Sequence, residues 1–181
     1  MIWMNSLTIA SVRSRISAHL KILQQEDRMR APFQILALPY RKRGEVWEFC
    51  VFHRTEPDEW QFTSGGGEDD ETPEQAALRE IWEETGFHAE RLTRLSSVSA
   101  VPANVFREDA RAHWPKDVYV VPEYHFAYEC GQEIVLSHEH RECVWLNYPD
   151  AQRRLKWDSN KTALYELWCI LNGRLEKTLV E

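Results

Sequence analysis

The pattern of hydrophobic and polar positions divides the chain into strand-like and helical stretches. The runs "FQILALP" and "VWEFCVFHR" are rich in β-branched and aromatic residues, and the turn-like "YRKRGE" between them predicts a β-hairpin. Four later runs also predict strands: "LTRLSSVSAV", "DVYVVPEYHFAYEC", "EIVLS" and "ECVWLN". An irregular segment from Pro102 to Lys116 separates the first two of these, and Pro122 predicts a bulge or a sheet edge in the longest run.

Helical spacing is present at both ends of the chain. Residues 1–30 carry an apolar stripe with basic residues between its members, which predicts one amphipathic helix. Docking onto the domain, homodimer formation and a role as an organelle targeting peptide are alternatives for this helix. The terminal helix is predicted to have Ser159 or Asp158 as its N-cap, to stop at Gly173, and to present one apolar face: Leu164, Leu167, Trp168 and Leu171.

A third helix is predicted in the middle of the chain, between strands. Thr72, Pro73 and Gln75 form a capping-box start, and Gly86 suits the helix stop. At about 100° per residue, three carboxylates share one arc of this helix: Glu80, Glu83 and Glu84. The opposite side is predicted to face the core: Leu78, Ile81, Trp82 and Thr85. Strands that flank a central helix and precede a terminal helix indicate a mixed sheet packed between helices.

The three carboxylates need a compensating interaction, because like charges at these spacings repel by about 0.2–0.5 kcal/mol per pair. Mg²⁺ or Mn²⁺ would supply it, since hard divalent cations prefer oxygen ligands. The simpler alternative is a solvated acidic face.

Composition narrows the class of protein. A chain of 181 residues with 43% hydrophobic content fits one domain, and the net charge of -7 gives no general attraction for a nucleic-acid polymer. The four cysteines lack CxxC spacing, which favours reduced thiols and a cytoplasmic location. No apolar run reaches the roughly 18 residues that a membrane span requires, so no membrane association is expected.

The spacing around the central helix is specific. Gly65, Glu71 and the run from Arg79 to Phe87 match every fixed position of the Nudix box, GX5EX7REUXEEXGU, so the chain resembles the Nudix hydrolase family. The resemblance implies an α/β fold, an α/β/α sandwich with a mixed β-sheet. It also implies magnesium-dependent hydrolysis of a phosphoanhydride. The expected domain covers residues 31–181, preceded by a helical extension at residues 1–30.

The resemblance also implies roles for individual residues. Glu80 and Glu84 match metal ligands, Glu83 matches a further ligand or a water-activating base, and Arg79 matches, with Glu71, the positions that brace the loop and helix. The backbone carbonyl of Ser64 is a further candidate metal ligand, although family members often have Pro-Gly just ahead of Gly65. Gly65 and Gly66 would let the backbone approach the substrate closely.

Two further segments suggest a branch of the family. "HRTEPDEWQFTSG" resembles bacterial dihydroneopterin triphosphate pyrophosphatases, which implies substrate contacts for His53, Arg54 and Ser64. "IVLSHEHRECVWLN" resembles a segment shared by those enzymes and diadenosine tetraphosphate hydrolases. It makes Glu139 a candidate catalytic carboxylate and metal ligand from outside the box. His138 and His140 are either exposed loop residues or substrate contacts.

These observations predict a magnesium-dependent pyrophosphohydrolase acting on a small-molecule triphosphate. Dihydroneopterin triphosphate or a nucleotide such as dATP is the first expectation, and a dinucleoside polyphosphate is the alternative. A non-catalytic nucleotide-binding Nudix sensor is a third hypothesis, which the intact box disfavours. Three aromatic residues near the irregular segment are candidates to line the pocket: Phe106, Trp114 and Tyr119.

Overall fold

A seven-stranded sheet forms the centre of the computed structural model, which describes residues 28–173. Nearly all of the predicted N-terminal helix, residues 1–27, lies outside the described residues. The strands are β1 (Arg30–Arg43), β2 (Val46–Arg54), β3 (Trp60–Gln61), β4 (Thr63–Glu68), β5 (Thr93–Pro102), β6 (Val120–Glu129) and β7 (His140–Leu146). The helices are α1 (Pro73–Thr85), α2 (Tyr148–Arg154) and α3 (Asp158–Asn172), with a 3-10 turn at Ala103–Val105.

Strand β1 organises the sheet. One part of β1 pairs antiparallel with β2, as the predicted hairpin requires, and another part pairs antiparallel with β4. The opposite edge of β1 pairs in parallel with β6, which in turn pairs antiparallel with β5. Strand β7 extends the sheet beyond β2. Parallel and antiparallel pairs occur together, so the prediction of a mixed sheet is confirmed.

Each face of the sheet carries its own hydrophobic core. Alternate residues of a strand point to opposite faces, and β1 accordingly sends Leu36 and Leu38 to one core and Ile35 and Ala37 to the other. The α1 face packs against Ala76, Ala77 and Ile81 of α1. The opposite face packs against α2 and α3 through Ala151, Leu155, Ala163, Leu164 and Leu167. Helices on both faces give the predicted α/β/α layers. No helix in residues 28–173 has the length and apolar character to cross a membrane.

The ends of α1 agree with the sequence prediction. Thr72 accepts a hydrogen bond from the Gln75 backbone, and the Gln75 side chain accepts one from the Thr72 backbone. Gly86 adopts the left-handed conformation, with φ of 63°, that ends the helix.

The predicted core face of α1 was partly wrong. Leu78 and Trp82 are 40% and 41% exposed, and the Trp82 ring stacks on His88. Ile81 and Thr85 are buried as predicted, and Glu84 is buried as well, on the side of the helix where the backbone of residues 133–137 contacts it.

Two strand predictions were also wrong. "EIVLS", residues 133–137, is not a strand: the Val135 and Ser137 backbone N–H groups donate to the Thr85 and Glu84 carbonyls at the end of α1. Those carbonyls have no partner within a helix, so the segment satisfies them from outside. Pro122 marks neither a sheet edge nor a bulge, because β6 lies between β1 and β5, and the β5–β6 register shift falls between Arg94 and Val98. Pairing with β1 begins at Glu123, so no hydrogen bond to β1 is lost at the proline.

The C-terminal helices differ from the prediction at their starts. Helix α2 was not predicted, although Asn147 caps it by accepting from the Asp150 backbone N–H, and a proline follows in the first turn. Trp157, and not Asp158 or Ser159, precedes the first turn of α3, without a side-chain cap. Gly173 ends α3 in the left-handed conformation, as predicted.

Candidate active site

The guanidinium group of Arg79 links strand β4, the loop after it and helix α1. It donates two hydrogen bonds to the Glu71 carboxylate, at 2.9 and 3.0 Å, and one to the Gly66 carbonyl, at 2.7 Å. Its Nη1 atom lies 2.9 Å from Glu80 Oε1 and 3.1 Å from Glu83 Oε2. A single cation therefore holds three carboxylates of the box sequence and the glycine-rich strand together.

The glycines of β4 allow this close approach. A Cβ atom added to Gly65 would lie 1.9 Å from the Glu80 carboxylate, and one added to Gly66 would lie 2.2 Å from the Arg30 guanidinium carbon. Any side chain at either position would displace a charged group. Ser64, the residue before them, accepts a hydrogen bond from Gln61 Nε2 at 3.0 Å.

A second group of charged residues adjoins the first. The Glu84 carboxylate lies 2.9 Å from His140 Nε2, and both residues are buried. His140 Nδ1 is buried without a hydrogen-bond partner within residues 28–173. Next to this pair, Arg54 Nη2 lies 3.6 Å from Glu139 Oε2. The structure therefore brings Glu80, Glu83, Glu84 and Glu139 to one end of α1, with arginines between them.

Burial and mutual charge shift the titration of these groups. Burial raises the pKa of Glu80 to about 7, Arg79 opposes the shift, and Glu84 and Glu83 add to it. Burial also raises the pKa of Glu84, against the hydrogen bond from His140. For Arg79, burial alone would lower the guanidinium pKa, but Glu71, Glu80 and Glu68 raise it above its usual value. Buried carboxylates with raised pKa values are stabilised in their ionised form by an added cation.

His53 has different neighbours from Arg54. Its ring stacks on Trp60 at 4.4 Å, with Nε2 2.5 Å from Asp58 Oδ1 and Nδ1 3.2 Å from Glu142 Oε1. The described structure thus places His53 with Trp60 and Arg54 with Glu139. His138 is exposed in the loop before β7.

The three aromatic candidates for a pocket have separate positions. Trp114 is 9% exposed in a small core with Ala103 and Val121, and its indole N–H donates to the Arg30 carbonyl at 2.6 Å. Phe106 packs edge-on against Trp114. Tyr119 is 77% exposed. Trp114 thus packs in this small core, and a pocket-lining position for the three aromatic residues stays a prediction.

Three charged or polar residues near the site were not predicted from the sequence: Arg30, Glu123 and His125. The Arg30 guanidinium lies over the Phe106 ring at 4.9 Å and donates to Gln34 Oε1 at 2.5 Å. Glu123 and His125 are buried on the central strand β6. The available signal was the polar pair at i and i+2 in "PEYHFAY", on one face of a strand otherwise rich in apolar residues.

The donor set has the chemistry of a hard-cation site. Carboxylate oxygens and the Ser64 carbonyl are the ligand types that Mg²⁺ and Mn²⁺ prefer. No group of three or more His, Cys, Asp or Glu side chains is gathered at metal-binding distance within residues 28–173. The box carboxylates are held instead by Arg79 and His140.

Comparison with known proteins agrees with the geometry. The sequence pattern of the NUDIX domain matches residues 32–168. The dihydroneopterin triphosphate diphosphatase of Escherichia coli K12 is 34% identical over 115 residues, covering 61% of this chain and 75% of that protein. RNA pyrophosphohydrolase of Cereibacter sphaeroides (strain ATCC 17029 / ATH 2.4.9) is 58% identical over 33 residues, which is 18% of this chain. The match spans only about a fifth of that relative's length, 20%.

A solved structure is similar over most of the described chain. A protein described as a NUDIX hydrolase from Listeria monocytogenes str. 4b F2365 is 41% identical, with a TM-score of 0.69. The similarity covers 79% of this chain and 97% of the Listeria chain. The fold is thus shared over nearly the whole of a known structure.

Proposed function

Because the chain belongs to the NUDIX family, we propose that it hydrolyses a phosphoanhydride bond of a nucleoside or pterin triphosphate with the help of Mg²⁺ or Mn²⁺. The observation that carries this proposal is the grouping of Glu80 and Glu83 around Arg79, with Glu84 held by His140, beside a glycine strand that admits a close ligand. A surface helix with no ligand would gain nothing from burying Glu84.

The metal-holding residues in this proposal are Glu80, Glu83, Glu84, Glu139 and the backbone carbonyl of Ser64. A divalent ion bound there supplies charge neutralisation on the phosphates and a lowered pKa for the attacking water. Arg79 keeps the carboxylates in place through its bonds to Glu71 and Gly66. Glu83, which is more exposed than Glu80, would accept a proton from the attacking water.

Residues beside these metal-holding groups would contact the substrate. Arg54 offers positive charge to a phosphate beside Glu139. The Gly65 and Gly66 backbone and the Ser64 hydroxyl would contact the phosphate chain, because side chains there are absent or short. His53, which is held by Trp60 and Asp58, would contact the substrate from strand β2.

Dihydroneopterin triphosphate, or a nucleotide such as dATP, is the leading substrate. Support comes from the relative acting on dihydroneopterin triphosphate, of which the chain covers 75%. Dinucleoside polyphosphates rank second, on the resemblance of the segment around Glu139. We also propose a cytoplasmic location, supported by four free cysteines.

The test is a comparison of wild type with Glu84→Gln on these triphosphates in the presence of Mg²⁺. We expect the wild type to release pyrophosphate or phosphate only with a divalent ion. Glu84→Gln should lower kcat by about 100- to 1,000-fold, since one charged group in the site is lost.

Glu90→Gln is the matched control, because Glu90 is exposed beyond the end of α1. It should keep wild-type turnover. A wild-type protein that bound these compounds but released no product would overturn the proposal and favour a nucleotide sensor.

A further inference from the structure

A buried acid–base pair lies in the middle of the sheet on the face opposite α1. Glu123 and His125 are 7% and 1% exposed. His125 Nε2 lies 3.3 Å from Glu123 Oε1, and Nδ1 lies 2.9 Å from Ser97 Oγ. His125 is the one hydrogen-bonding neighbour of the Glu123 carboxylate that the described residues provide. A carboxylate buried with so few partners is costly unless a ligand completes its hydrogen bonds.

The strand neighbours of this pair are partly exposed polar residues, apart from Leu36, which is buried. Glu123 pairs with Gln34 on one side and with Ser99 on the other, and His125 pairs with Leu36, whose other neighbour is Ser64. Paired residues point to the same face. We call this part of the sheet face the sheet-face recess: Glu123 and His125 are its buried centre, and its partly exposed rim is Gln34, Ser64, Ser97 and Ser99.

The sheet-face recess adjoins the carboxylates of α1 across a single strand. Ser64 belongs to its rim, while the next residue, Gly65, faces Glu80 on the other side of β4. A strand is about 5 Å wide, so one small molecule can reach both faces around this edge.

Arg30 stands beside Gly66 at the same edge. Its guanidinium is fixed over Phe106, forms no ion pair with any described residue, and has its buried Nε without a partner. An arginine with no described carboxylate within ion-pair distance suits a phosphate oxygen.

We propose that the sheet-face recess binds the heterocycle of the substrate and that Glu123 selects a 2-amino-4-oxopyrimidine edge, as found in pterins and guanine. This inference rests on the proposed function and, of its two leading substrates, favours dihydroneopterin triphosphate over dATP. Such an edge presents a ring N–H beside an amino N–H, and a carboxylate accepts both. Adenine presents a ring nitrogen lone pair beside its amino group, which faces a carboxylate oxygen unfavourably. His125 is a positioning residue, because its contact with the Glu123 carboxylate orients that group.

The first experiment measures kcat/KM with Mg²⁺ for dihydroneopterin triphosphate, GTP, ATP and CTP. The wild type should favour the first two by about 10- to 100-fold. Glu123→Gln should lower kcat/KM for those two by a similar factor, mainly through KM, and change ATP by less than about threefold. Glu129→Gln, an exposed carboxylate on the same strand, should match the wild type. Equal selectivity in wild type and Glu123→Gln would overturn the inference.

A binding measurement separates this inference from the proposed function. Titration calorimetry with GMP and AMP needs no turnover, and GMP should bind the wild type about 10-fold or more tightly than AMP. Loss of that preference in Glu123→Gln supports the recess even if no triphosphate is hydrolysed. Hydrolysis without any preference for GMP over AMP would instead support the proposed function and contradict binding of the heterocycle in the recess.

A second variant guards against misfolding at the buried Glu123. Ser99→Leu fills the rim opposite Glu123 and leaves the acid in place. It should weaken GMP binding by about 10-fold or more while thermal unfolding stays near that of the wild type. Unchanged GMP binding in this variant would contradict a ligand in the recess.

Discussion

Burial and neighbouring charges both act on the carboxylate of Glu80, a residue proposed to bind the metal. Its carboxylate lies against Gly65, receives one hydrogen bond from Arg79, and has the acids Glu83 and Glu84 nearby. Burial raises its pKa to about 7, from an ordinary value of 4.5. In the absence of metal, the folded protein therefore retains a proton that the unfolded chain releases.

This shift predicts a pH-dependent stability. Between pH 4.5 and about 7 the folded state binds the extra proton, so the free energy of unfolding falls as the pH rises through this window. Glu80→Gln should remove this contribution, which is on the order of 3 kcal/mol across the window. Chemical denaturation in metal-free buffer at several pH values measures it.

The comparison variant is Glu90→Gln, which should keep the wild-type pH profile because Glu90 is exposed. Parallel profiles for wild type and Glu80→Gln would show that Glu80 titrates normally.

At the scale of single elements, the glycines of strand β4 let charged side chains lie against its backbone. Gly65 and Gly66 place Glu80 on one face of the strand and Arg30 on the other, each closer than a side chain would permit. The contact at Gly65 is with the far end of a flexible side chain, so Glu80 can move aside. A methyl group there should disturb the site more than the fold.

We therefore expect Gly65→Ala to reduce triphosphate turnover by about 10- to 100-fold, since displaced supporting groups weaken metal sites by this factor. The free energy of unfolding should change by only about 1 kcal/mol. Steady-state kinetics and thermal unfolding of the same preparation measure both.

Gly131→Ala is the matched substitution, because a Cβ atom there meets nothing within 4 Å. It should leave turnover unchanged. Full activity in Gly65→Ala would mean that the Glu80 position is not needed.

Elements with local signals were predictable from sequence, and those with distant partners were not. The start and end of α1 follow from Thr72, Gln75 and Gly86, whose interactions lie within the helix itself. Residues 133–137 look like a strand because Ile134, Val135 and Leu136 are apolar and the first two are β-branched. Their backbone partners, however, are Thr85 and Glu84 at the end of a helix about 50 residues earlier in the chain.

At the scale of the whole molecule, α3 is tied to the catalytic strands by one buried amide. Asn160, 3% exposed, accepts the Phe62 backbone N–H at 2.8 Å, just before Ser64. Asn160→Ala leaves that N–H buried without a partner, which should cost about 1–3 kcal/mol of unfolding free energy. Urea denaturation measures the change.

Asn172→Ala serves as the reference, because Asn172 is exposed near the end of the same helix. It should stay within about 0.5 kcal/mol of wild type. Equal stability of the two variants would mean that the Phe62 N–H finds another partner.

The sheet-face recess shows why the candidate site was only partly predictable. The α1 carboxylates lie close together in the sequence, so helical periodicity was enough to group them. Glu123, Ser99 and Gln34 come together through the register of three strands from distant parts of the chain. Sequence alone gives neither that register nor the face on which each residue lies.

The parallel pairing of β1 with β6 also constrains how the protein is made. Gln34 pairs with Glu123, and the hairpin partner of β1, helix α1 and strand β5 all lie between them in the chain. During synthesis the β1–β2 hairpin can form early, whereas the other edge of β1 stays open until β6 leaves the ribosome. The nascent chain therefore exposes an apolar strand edge through much of translation, and a chaperone that covers this edge would act during that period.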